Sequence, residues 1–67
     1  MLVLSRKNKQ TIHIGTEADF KAGREIIITV FKDKNGDDIS VGIDADKEWK
    51  ILRGELVQNY VEKLGND

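Results

Sequence analysis

The run Glu25-Ile26-Ile27-Ile28-Thr29-Val30-Phe31 constrains this chain more than any other segment. Along a strand, successive side chains point to opposite faces. Ile26, Ile28 and Val30 would then line one face, and Ile27 and Phe31 the other. A strand apolar on both faces has to be central in a sheet or sandwiched at an interface. The chain has 67 residues with which to cover it. A domain of that size buries only roughly 60% of its unfolded surface. It has no Cys, so disulfides and thiolate zinc sites are unavailable as reinforcement. Association is the remaining route to stability, and a homodimer is the expectation.

The other elements read from local pattern. Leu2 to Arg6 is the first strand, and Lys7-Asn8-Lys9-Gln10 a polar turn. Thr11-Ile12-His13-Ile14 alternates with period two, and Gly15 closes this second strand. Thr16 suits an N-cap, Asp19 the third helical position and Gly23 a C′ site, with Phe20 as the one apolar anchor. One or two helical turns or an irregular loop both fit so short a stretch. Lys32 to Asp38 is a charged hairpin loop with Asn35-Gly36 as its turn signal. Ile39 to Ile43 returns as strand four, and Glu48 to Arg53 is a fifth strand. From Gly54 the period lengthens: Leu56, Tyr60 and Leu64, with Val57 and Val61 alongside, form one helical stripe that Gly65 ends. The reading is five strands, then a C-terminal helix over about 54–64, in one domain spanning 1–67.

Charge and motifs narrow the function classes. Eleven Lys and Arg against twelve Asp and Glu give a net charge of −1. That balance argues against a non-specific nucleic-acid coat, which needs a strong positive field, but leaves room for a compact basic site. The apolar opening, Met1 to Leu4, is too short for a membrane span and lacks the layout of a secretory signal. A cytoplasmic setting is expected.

Asp33-Lys34-Asn35-Gly36-Asp37 resembles the start of a calcium loop. Counted from Asp33, however, the sixth position is Asp38 rather than Gly, and the twelfth is Asp44 rather than Glu. A solvated hairpin is the better reading. His13 stands alone without a metal-site constellation, and reads as a surface or interface residue. No nucleophile–base set and no glycine-rich phosphate loop is present, so neither an enzyme nor a cofactor is expected. Asp44, Asp46 and Glu48 form an acidic cluster around Lys47 that suits a solvated loop. Trp49 could stack on a base, or anchor a core. The remaining cations gather as Arg6, Lys7 and Lys9 near the first strand, and as Lys47, Lys50 and Arg53 around the fifth.

In order along the chain, Met1-Leu2-Val3-Leu4-Ser5-Arg6-Lys7, Ile12-His13-Ile14-Gly15, Val41-Gly42-Ile43-Asp44-Ala45, Lys47-Glu48, Arg53 and Glu55-Leu56 resemble the CsrA/RsmA carbon storage regulator family. The resemblance implies a mainly β fold of five short strands and a C-terminal helix, assembled as an interlaced, strand-exchanged homodimeric β-barrel or sandwich. It implies that strand one lies beside strand five of the other subunit. Leu4, Ser5, Arg6 and Lys7 would then meet Ile51, Leu52 and Arg53, with Ala45 and Lys47 in support. It further implies a translational regulator that binds GGA triplets in hairpin loops of messenger RNA leaders and is titrated by small RNAs.

The chain departs from that family's usual pattern at several places. Lys9-Gln10 stands for Gly-Glu, Ser40 for an arginine, and Asp46 for a proline. Ile51-Leu52-Arg53-Gly54-Glu55 replaces Val-His-Arg-Glu-Glu. Residues 16–24 form an insertion of about nine residues, long for a strand link. These changes motivate an alternative: a dimeric protein-interaction module or antagonist with weakened or lost RNA binding, using the insertion and the Asp44/Asp46 surface.

Overall fold

The computed structural model describes residues 1–32, 36 and 38–65. The Asn35-Gly36 turn and the calcium-like run therefore fall largely outside the described residues. The elements follow the expected order: β1 (Leu2–Arg6), β2 (Thr11–Gly15), α1 (Glu17–Ala22), β3 (Ile26–Thr29), β4 (Ile39–Ile43) and β5 (Lys50–Arg53). A 3-10 turn over Gly54–Leu56 then leads into α2 (Val57–Gly65). The last helix thus starts as a tighter turn and includes Gly65. The fifth strand is shorter than its apolar pattern suggested, because Glu48 and Trp49 lie in a turn closed by Trp49 N–H donating to the Asp46 carbonyl at 3.0 Å.

The strands form two separate antiparallel sheets. β1 pairs with β4, Leu4 opposite Val41 and Arg6 opposite Ile39. β2 is the centre of the other sheet, with β3 on one side and β5 on the other. Ile12 lies opposite Ile28 and Arg53, and His13 opposite Ile27 and Leu52. Because partners across a sheet share a face, Ile12, Ile14, Ile26, Ile28 and Ile51 line one side with Arg53. The other side carries Thr11, His13, Ile27, Thr29, Lys50 and Leu52.

The turn between β1 and β2 is held by Gln10 N–H to the Lys7 carbonyl and by Lys9 N–H to the Val30 carbonyl at 2.7 Å. Lys9 sits at φ 67, in the left-handed region where a Cβ is disfavoured. This is the position at which the Gly-Glu pattern of the resembling family would place glycine.

The segment 16–24, open between helix and loop by sequence, is a helix. Thr16 accepts from Asp19 N–H at 3.2 Å while the Asp19 carboxylate accepts from Thr16 N–H at 3.0 Å, a reciprocal capping box. The Thr16 backbone N–H first, and then its hydroxyl donating at 2.9 Å, hold the Asp19 carboxyl below its ordinary pKa. Gly23 ends the helix at φ 71, ψ 31. Phe20, 2% exposed, meets Tyr60 of α2 edge-on with ring centroids 5.3 Å apart. This segment is therefore a packed brace on the C-terminal helix.

Buried apolar side chains are few: Leu4, Ile12, Phe20 and Val30. β3 is an edge strand in this chain, with Ile26 and Ile27 more than half exposed and Phe31 71% exposed. Among the described residues of one chain β3 is bordered by β2 alone, so its outer edge and apolar side chains are left open. The molecule is correspondingly drawn out, with extents of 45 × 22 × 16 Å.

Candidate nucleic-acid interface

The two basic clusters end up on different sheets, at strand edges left open. β1 has one hydrogen-bonded neighbour, β4, and β5 has one, β2. The free edges of both strands present unpaired backbone donors and acceptors. On β1, Ser5 and Lys7 flank the edge as exposed residues, while Leu4 faces inward at 6% exposure. On β5, Arg53 is exposed, and Ile51 and Leu52 are half-buried. Ala45 and Lys47 are exposed in the loop leading to β5. Among the described residues β1 and β5 do not pair with each other.

Arg6 is placed differently from its neighbours. Its guanidinium is 2% exposed and reaches across the gap between the sheets. Nη1 donates to Glu55 Oε1 at 2.9 Å and Nη2 to Glu55 Oε2 at 3.1 Å, a two-pronged ion pair. Nη1 also donates to the Thr11 carbonyl at 3.2 Å, and Nε to the Ser5 carbonyl at 2.9 Å. The Arg6 hydrogen bond draws the Glu55 carboxyl from the usual 4.5 down to about 2, and Glu55 in turn raises Arg6 above its ordinary value. The sequence reading did not bring Glu55 to Arg6. The two stand 49 positions apart, and only the tertiary fold brings them together.

Thr11 and Gly54 tighten the same junction. A Cβ on Gly54 would meet Thr11 Oγ1 at 1.9 Å, so a side chain there would push the hydroxyl aside. That hydroxyl is held by His13 Nε2 at 3.1 Å, and His13 Nδ1 lies 3.4 Å from Glu25 Oε1. His13 is 15% exposed and sits in this polar cluster rather than on an open surface, which corrects the surface reading.

The acidic loop carries Asp44, 3.2 Å from the Met1 ammonium, and an exposed Asp46. Trp49, 38% exposed, borders an open cleft of about 450 Å³ with Ile14, Ile26, Asp44, Ala45 and Asp46. Among the described residues no three potential ligands gather to hold a metal, and no helix is long and apolar enough to cross a membrane.

Residues 1–62 match the CsrA global regulator protein family. The chain belongs to that family. A translational regulator CsrA of Desulforamulus reducens is 48% identical over 66 residues, which cover 98% of this chain and 71% of that one. A translational regulator CsrA of Thermosipho africanus is 38% identical over 63 residues, 94% of this chain and 74% of the relative. No solved structure matches. The five strands and C-terminal helix expected of a CsrA chain are present in order, with α1 between β2 and β3.

Proposed function

We propose that the chain is a cytoplasmic translational regulator that binds GGA-type motifs in RNA hairpin loops as a homodimer. Each of two composite sites would join the open edge of β1 from one subunit to the open edge of β5 from the other. The observation that carries this reading is Arg53, exposed on an open edge strand of a CsrA-family chain. The naming of both relatives as translational regulators supports it.

The physical chemistry favours the same arrangement. Edge strands left with unpaired backbone groups are stabilised by pairing, and a second copy supplies the complementary edge symmetrically. The half-exposed Ile26 and Ile28 offer the apolar surface that such association would cover. Loop bases of RNA are splayed and can be read on their edges, unlike bases in the deep major groove of an RNA duplex. Arg53 offers a planar fork to a base or phosphate, and Lys7 and Lys47 offer point charges. Ile51, on the same sheet face as Arg53, would supply the apolar floor, with Ser5 and Ala45 contributing backbone groups. Two sites on one dimer let an RNA with two GGA loops bind with higher avidity, including small RNAs that would titrate the protein.

A gel-shift titration with a GGA hairpin, and with the same hairpin lacking GGA in its loop, tests the proposal. The parent should prefer the first, and Arg53→Ala should weaken binding by about 1–3 kcal/mol if its fork reads a base. An Arg53→Ala protein that binds as well as the parent overturns the site. The exposed carboxylates Asp44 and Asp46 beside β5 favour a second reading, a protein-interaction module. Purified protein that carries no RNA and ignores GGA loops would support it.

A further inference from the structure

Arg6 carries a conflict between what it is and where it is. As a cation next to Lys7 it belongs with the residues that would meet RNA, and the family resemblance places it there. Its side chain is nevertheless almost wholly enclosed, at 2% exposure. A guanidinium has five N–H donors. Four hydrogen bonds already engage them: Ser5 and Thr11 carbonyls, and both oxygens of Glu55. No free fork is left for a phosphate or a base edge. The charge is also matched by Glu55, so the pair adds little to the field that an approaching RNA would feel.

We infer that Arg6 is a positioning residue, which serves RNA binding by fixing the end of β5 through Glu55 and Thr11. Glu55 lies two residues beyond Arg53, in the 3-10 turn that follows the strand. Thr11 packs against Gly54 and begins the strand in which Ile12 pairs with Arg53. Arg6 thus holds both the 3-10 turn that follows Arg53 and the start of β2, the strand that pairs with β5, within one subunit. A lysine cannot reproduce this grip, because its ammonium lacks the planar fork that meets both carboxylate oxygens. Removing either partner leaves the other as an uncompensated charge at the junction.

The inference rests on the RNA-binding reading, and the experiment separates the two. The probe is a GGA hairpin RNA, titrated over a range of KCl against the parent, Arg6→Lys, Arg6→Met, Glu55→Gln, the Arg6→Met/Glu55→Gln double variant and Arg53→Ala. Circular dichroism confirms which variants are folded at the assay temperature. Affinity should fall on the order of tenfold for Arg6→Lys, Arg6→Met and Glu55→Gln, a single decade of binding constant. The double variant should fall no further than Arg6→Met, since both act through one contact. The slope of log K against log salt should stay that of the parent in all four. Arg53→Ala calibrates the assay by lowering that slope by about 0.7 if it loses one phosphate contact on a single strand.

A lowered slope for Arg6→Met overturns the positioning role and makes Arg6 a direct contact, and parent-like affinity for Glu55→Gln overturns the positioning role by itself. Should the Arg6 variants fail to fold, Glu55→Gln decides alone, because its partly exposed side chain keeps its volume. A parent that binds no RNA removes the function reading and this inference together. A binding parent with an unaffected Glu55→Gln removes only the inference.

Discussion

The α1 segment and the sheet edges meet the same problem, too little core, in opposite ways. α1 is closed on itself: its termini are capped at both ends, and its one large apolar side chain is buried against Tyr60. The strands β1, β3 and β5 are open, with unpaired edges and with Ile26, Ile27 and Phe31 facing outward. The caps of the first region are local, within a turn or two of chain, and its apolar anchor is supplied by α2 of the same chain. The open edges have no such cover among the described residues, and their stability depends on what covers them. The difference teaches that a capped, anchored helix can be complete within a scaffold that is not.

Phe20→Ala strikes the closed region hardest. It should cost about 4 kcal/mol, since it removes a buried aromatic and leaves a cavity. A domain with a total stability of roughly 5–15 kcal/mol would be near unfolding, readable in a thermal melt. If α1 were only a decoration, the melt would barely move.

Ile26→Lys probes the open region. On a surface that stays exposed such a change is worth within about 0.5 kcal/mol. On a face covered by a second copy it should cost about 2 kcal/mol and shift the protein toward monomer in sedimentation equilibrium. Ile27→Lys, on the more polar face, should leave assembly intact. The reverse outcome would mean that the other face is the covered one.

Smaller effects test the backbone. Lys9→Gly should stabilise by about 1 kcal/mol in a denaturant titration, because glycine relieves the left-handed strain. Thr16→Ala should destabilise by about 1 kcal/mol through loss of the helix cap. The smallest change belongs to acid pH. Glu55 titrates near 2 when folded and near 4.5 when free of its partner. Its pairing with Arg6 therefore stabilises fully above about pH 4.5 and is lost as pH falls toward 2. The melting difference between the parent and Glu55→Gln should be constant from pH 7 to 5 and shrink below that, a modest effect because half the carboxylate is exposed.

Much of this architecture was legible in the residues. Alternation marked β2 and β4 and the lengthened period marked α2, while the Thr16/Asp19 and Gly23 signals named the caps of a stretch that could equally have been a loop. The opening heptapeptide and the Val41–Ala45 segment carried the family. The boundaries of β5 were less legible, because a turn through Asp46 to Trp49 competes with strand propensity at Glu48 and Trp49. The candidate site was legible as residue types only. Arg6, Lys7 and Arg53 look alike as charges along the chain, yet Arg6 is enclosed and the other two are exposed.

The sequence by itself determined the element order, the helix caps and the family, since each depends on neighbours a few positions away or on the pattern of the whole chain. Only the tertiary structure decided that Arg6 meets Glu55, that Thr11 closes on Gly54, and that β1 and β5 keep open edges. Those contacts join residues about 40 to 50 positions apart, where no local propensity acts and only the closing of the fold brings charge to charge.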